Sequence, residues 1–104
     1  MQLVISNQVR KDIAGIYKYI ANDSIKYANE TVNNIYSHIA ELKTFPYIGR
    51  YAQEIPDKQY RELLYKNYRI IYTISEEKET VYIRFVIHGK RDFRKFSNKY
   101  IIKK

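Results

Sequence analysis

The sequence predicts an α/β domain of the α+β kind: an N-terminal strand and a helical hairpin packed on one face of a small, mainly antiparallel β-sheet. Three observations carry this. Two stretches within the first 43 residues repeat apolar side chains at helical spacing. Three apolar runs rich in tyrosine and β-branched residues fill 60–92, parted only by Lys66-Asn67 and by residues 75–79. Between the two halves lies a stretch bearing Pro46, Gly49 and Pro56 in which no periodicity survives. With 104 residues, the chain is expected to form one domain, 1–104, around one core.

Leu3, Val4 and Ile5 form the expected first strand, and Ser6 or Asn7 offers a side chain to cap a helix. Val9, Ile13, Ile16, Tyr17 and Ile20 share one face of a helix over 7–21. Gly15 lies inside that helix, at a cost of about 1 kcal/mol relative to alanine. Asn22-Asp23-Ser24 breaks it and supplies the next cap. Ala28, Val32, Ile35, Ile39 and Leu42 then step by four and three along a second helix over 25–43, with Tyr36 on its flank. Phe45-Pro46 ends it, because the residue before a proline avoids helical geometry. Residues 45–59 are expected to be a loop anchored by Tyr47, Ile48 and Tyr51. Arg50 within it is read either as facing a ligand or as solvated.

The last half predicts a three-stranded meander. A two-residue turn at Lys66-Asn67 pairs Tyr65 with Tyr68, Leu64 with Arg69, Leu63 with Ile70 and Glu62 with Ile71. Setting Ile74 opposite Val81 pairs Ile71 with Arg84, Arg69 with Val86 and Asn67 with His88. Side chains alternate along a strand. That register puts Ile70, Tyr72, Ile74, Val81, Ile83, Phe85 and Ile87 under the helices. Glu62, Leu64, Arg69, Ile71, Tyr82, Arg84, Val86 and His88 fall on an open, partly basic face.

Composition bounds the function. Nineteen Lys+Arg against eleven Asp+Glu give +8 and a pI near 9.6, which favours an anionic partner. Residues 90–104 hold seven basic residues and one acid, a segment suited to phosphates or to an acidic protein segment. Twelve tyrosines belong mostly to the core and its rim, although tyrosine beside arginine also stacks on bases. There is no cysteine, so no disulfide or thiolate metal site, and two isolated histidines make no metal site. His38 flanks the helical stripe and is expected to be solvated. No run reaches the ~18 apolar residues that span a bilayer, and the start MQLVIS lacks the pattern of a signal peptide. These features place the chain in the cytoplasm, away from membranes.

Arg69, mid-strand in an apolar run, has two readings. A guanidinium there can clamp a phosphate or stabilise a reacting phosphoryl group; it can equally pair with Glu62 across the strands. His88, at a strand end, is placed to act as general acid or base near neutral pH or simply to hydrogen-bond. Arg91 follows Gly89 and can swing over the sheet edge. Motifs for a P-loop, a dinucleotide fold, a serine hydrolase or a zinc protease are missing from the sequence.

In sequence order, a strand, a helical hairpin, LKTFPYIGR, YRELLYKNYRIIYTI and VYIRFVIHGKRD resemble the RelE/ParE superfamily of bacterial type II toxins, also called plasmid stabilisation proteins. The resemblance covers nearly the whole chain. It implies a small α/β toxin whose two N-terminal helices pack on one face of a sheet. It also implies a cognate antitoxin, encoded beside the toxin, that wraps it with an extended, often acidic segment in a hetero-oligomer. No cofactor is implied. RelE-like members cleave mRNA on the ribosome without a metal, by attack of the 2′-OH on the phosphate. For that branch the resemblance assigns catalytic roles to Arg69, His88 and Arg91. ParE-like members bind and poison DNA gyrase. Arg61, Arg84, Lys90, Arg94 and Lys95 are then the candidates for contact with the target or with nucleic acid. The YREL strand and the HGKRD ending look more like ParE. The RNA-cleaving branch carries basic residues along the second meander strand, where Arg61 is here followed by Glu62, Leu63 and Leu64. That branch also places a tyrosine after the last arginine, where Phe93 and Phe96 stand.

Overall fold

The computed structural model describes residues 1–52 and 54–89. The chain runs β1 (Gln2–Ile5), α1 (Asn7–Ala21), α2 (Ile25–Thr44), β2 (Arg50–Tyr51), β3 (Arg61–Tyr65), β4 (Tyr68–Ser75) and β5 (Thr80–His88). The five strands form one sheet in the order β1-β5-β4-β3-β2. The fold is α+β as expected: β3, β4 and β5 are the predicted meander, with an edge strand added on each side. β1 pairs parallel to β5, Leu3 opposite Val81 and Ile5 opposite Ile83. Parallel neighbours need a crossover, and here the helical hairpin is part of it.

Both helices start on a serine. Ser6 accepts a hydrogen bond from the Val9 N–H at 3.1 Å, and Ser24 accepts one from the Tyr27 N–H at 3.0 Å. Each bond satisfies a first-turn donor that has no intrahelical partner. The predicted stripes face the sheet. Val9, Ile13 and Ile16 of α1 join Ile35, Ile39 and Leu42 of α2 over Ile70, Tyr72, Val81, Ile83 and Val86.

The β3–β4 register is the predicted one throughout, from Tyr65 opposite Tyr68 to Glu62 opposite Ile71. Lys66 takes a left-handed φ of 52° to make the tight turn. The β4–β5 register begins as predicted, with Ile74 opposite Val81, and then departs. A bulge puts Ile83 opposite Tyr72 but Phe85 opposite Ile71, so Arg84 is the extra residue. Beyond it the expected pairs are corrected. Ile71 faces Phe85 rather than Arg84, Arg69 faces Ile87 rather than Val86, and His88 faces Tyr68 rather than Asn67. One inserted residue reverses the parity of everything after it. Val86 therefore joins the core under the helices, while Phe85 and Ile87 turn to the other face.

That other face is not open. Residues of the 52–60 segment fold over it, and Ala52, Ile55, Ile71 and Ile87 form a second apolar cluster with Tyr60 and Phe85. The connection expected to be irregular also contributes β2, which pairs antiparallel with β3, Arg50 opposite Glu62 and Tyr51 opposite Arg61.

Candidate functional site

Beside the second apolar cluster lies a charge network built by three elements. Glu62 on β3 is fully buried. Its Oε2 accepts from Arg50 Nε at 2.8 Å and its Oε1 from Arg69 Nε at 2.9 Å. Arg69 Nη2 donates a further hydrogen bond to Glu54 Oε1. The pairing follows from the strands: Arg50 is directly opposite Glu62, and Arg69 is its diagonal neighbour across the β3–β4 ladder. Glu54 reaches Arg69 from the segment that covers the face.

Arg69 is only 7% exposed. Burial works against its charge, but the hydrogen bond to Glu54 and the nearby Glu62 carboxylate outweigh burial and hold its pKa above the ordinary value. For Glu54, burial pushes the carboxyl up, and the Arg69 hydrogen bond and charge overcome that and hold it below the usual carboxylate range. Two guanidinium groups face two carboxylates, so the network is formally neutral. A phosphate approaching Arg69 has to displace Glu54 and sit beside Glu62. This is chemistry for holding a sheet and its covering segment together, and of the two sequence readings of Arg69 it is the Glu62 pairing that the geometry displays.

The other predicted residues do not converge on Arg69. His88 follows the bulge, shares the helix-facing side with Val86, and meets Tyr68 edge-on at 5.6 Å between ring centroids. Arg69 lies on the opposite side, so the expected gathering of Arg69, Arg84 and His88 on one face is corrected by the same bulge. Arg84 is exposed, donates from Nε to Thr73 Oγ1 at 3.0 Å and lies over the Tyr82 ring at 4.8 Å. Arg61 points to the helix side at the far edge of the sheet. Its Nη1 donates to the Gly49 carbonyl at 2.8 Å, and its guanidinium lies 4.4 Å from the Tyr51 ring centre and 5.1 Å from that of Tyr47. Lys90, Arg91, Arg94 and Lys95 lie outside the described residues. His38 Nδ1 donates to the Asn34 carbonyl, 2.8 Å away, and its ring tilts over Tyr65.

Sequence reasoning missed Glu54 as the second partner of Arg69, and it missed Tyr47 and Tyr51 as the cradle of Arg61. Spacing signals neither, since all three stand in an aperiodic stretch. Among the described residues no helix is long and apolar enough to cross a membrane.

The fold and this network define a small α+β protein in which the mid-strand arginine of the meander, Arg69, is held by carboxylates. A family model, the ParE toxin of the type II toxin-antitoxin system parDE, matches residues 3–93. The chain belongs to this ParE toxin family. Among solved structures it is similar to the chromosomal ParDE toxin–antitoxin system from P. aeruginosa, with a TM-score of 0.72 at 18% identity over 86% of this chain and 97% of that one. It is also similar to the toxin–antitoxin complex RelBE2 from Mycobacterium tuberculosis, with a TM-score of 0.56 at 19% identity over 84% of this chain and 95% of that one. At such identities these likenesses describe the fold. No curated protein sequence matches the chain significantly.

Proposed function

We propose that this toxin acts inside the bacterial cell by binding its target, DNA gyrase, rather than by cutting RNA, and that a cognate antitoxin holds it inactive in a hetero-oligomer. One observation carries the choice between the two actions: Arg69 is tied to Glu62 and Glu54, with His88 on the other side of the sheet. RNA cleavage by 2′-OH attack needs uncompensated positive charge at the phosphate and an acid–base pair in reach of it. The net charge of +8 serves an acidic protein segment as well as it serves a nucleic acid.

Two assays on the purified protein test the reading. Gyrase supercoiling should be inhibited, and mRNA ends mapped after incubation with translating ribosomes should show no new cuts. His88→Ala should leave gyrase inhibition unchanged. New cuts that disappear in that variant would reverse the assignment and make the protein a metal-independent endoribonuclease. Normal growth of cells overproducing soluble protein without its neighbouring gene would make it a binding module without toxicity.

A further inference from the structure

The corner where α2 leaves the sheet presents apolar side chains to solvent. Phe45 is 61% exposed, Ile48 55%, Tyr51 53% and Tyr47 47%. Phe45, Pro46, Tyr47 and Ile48, with Thr44, line a shallow hollow of about 440 Å³. This is a continuous patch at the β2 edge of the sheet, not a scatter of single residues, and patches of that kind mark interaction surfaces. Its rim is cationic: Arg61 stands between Tyr47 and Tyr51. Among the described residues the Arg61 guanidinium makes one hydrogen bond, to Gly49 O, of the five its N–H groups can donate. Stacked on two rings, it is preorganised to receive a carboxylate at little further entropic cost.

We propose that this corner is a docking surface for the antitoxin. It takes a segment that places one bulky apolar side chain in the hollow between Phe45 and Ile48, with an adjacent carboxylate on Arg61. The proposal rests on the toxin–antitoxin reading above. Tyrosine and arginine also stack on nucleic-acid bases, but the hollow is walled by Phe45, Pro46 and Ile48, which a sugar–phosphate chain cannot use. Arg50, at the same edge, is already tied to Glu62. One available guanidinium beside an apolar hollow matches an acidic, apolar-anchored peptide, and tyrosine and arginine are the residues that dominate such interfaces.

The test measures binding of the purified product of the adjoining gene to the full-length protein and its variants by calorimetry. Ile48→Glu and Phe45→Ser should each weaken binding on the order of 30-fold or more. Arg61→Gln should weaken it about 10-fold and reduce its salt dependence. Tyr19→Ser, at an exposed position on α1, should bind as the unaltered protein does. Hydrogen exchange on the unaltered complex provides a readout free of substitutions, and amides of residues 45–51 should be protected relative to the free toxin. Tight binding by all variants, or protection elsewhere with none at 45–51, overturns the docking surface and leaves the toxin–antitoxin reading standing. Loss of gyrase inhibition in the patch variants with antitoxin binding intact also overturns it, by assigning the corner to the target. No binding of the adjoining product to the unaltered protein overturns both.

Discussion

Asp12 Oδ2 accepts a hydrogen bond from the Val86 N–H at 2.9 Å, joining α1 to β5 two residues past the Arg84 bulge. The carboxylate is steadied by Gln8 Nε2, 2.7 Å from its other oxygen. The β1–β5 pairing ends at Ile5 opposite Ile83, and beyond it a side chain from the overlying helix supplies the acceptor for this β5 donor. Asp12→Ala should lower stability by about 1–3 kcal/mol, the cost of leaving a buried donor unpaired. Asp12→Asn, which keeps an acceptor, should lose less. Urea denaturation of the three proteins checks the order.

Glu62 pairs with two arginines at once, one on each carboxylate oxygen, from a position without solvent. Glu62→Ala strands Arg69 in a buried site and should cost about 3–5 kcal/mol. Replacing both partners, Glu62→Leu with Arg69→Met, should recover much of that loss, because an apolar pair of similar size avoids the desolvation of two charges. A double-mutant cycle on thermal midpoints measures the recovery. The double variant also separates structure from chemistry: if Arg69 only holds the fold, the double variant still inhibits gyrase.

Two glycines should respond in opposite directions to alanine. A Cβ on Gly49 would stand 2.5 Å from Tyr72 Oη and 2.6 Å from the Glu62 carbonyl. The Gly49 N–H donates to that same tyrosine oxygen, whose own proton goes to the Pro46 carbonyl. Gly49→Ala should therefore destabilise by about 1–3 kcal/mol through overpacking. Gly15 has nothing within 4 Å of its added Cβ, so it serves no close helix packing. Gly15→Ala should stabilise by about 1 kcal/mol, from helix propensity and a less disordered unfolded chain, raising the melting midpoint by roughly 4–8 °C.

The Arg69–Glu54 contact predicts an acid response. The Glu54 carboxyl titrates lower in the folded protein than in the unfolded chain. Between those two values the unfolded chain binds more protons, so stability rises with pH. The contribution is complete above the unfolded value, near ~4.3, and is lost as pH falls through the lower folded value. Glu54→Gln should flatten the fall in urea midpoint below about pH 4.3 while leaving its shape near neutrality unchanged. The effect is modest, since half of the Glu54 side chain is exposed and solvent screens the pair.

Most of the architecture was legible because the helices and β3–β4 announce themselves by period and turn. Ile35, Ile39 and Leu42 can only be one helical face, and Lys66-Asn67 between Tyr65 and Tyr68 fixes a hairpin. The bulge was not legible, since Phe85, Val86 and Ile87 are all apolar and either parity buries an acceptable set. With the parity went the site, for His88 changes face with it. The Glu62 pairing could be read from register, whereas Glu54 comes from a segment with no period, so its arrival at Arg69 depends on tertiary packing alone. β2 has two residues, too few for any alternation to show.

The pairing of β1 with β5 sets an order of events during synthesis. Among the described strands the first hydrogen-bonds to the last, Gln2 to the neighbourhood of Thr80 and Ile5 to that of Ile83. No earlier part of the chain offers β1 its native partner. Contacts so distant in sequence close late, so a nascent toxin holds β1 without its partner until β5 has been made. A truncated product ending before residue 80 lacks the β1–β5 and β4–β5 pairings and should be cleared as unfolded chain, which confines the toxin's potency to molecules that include β5.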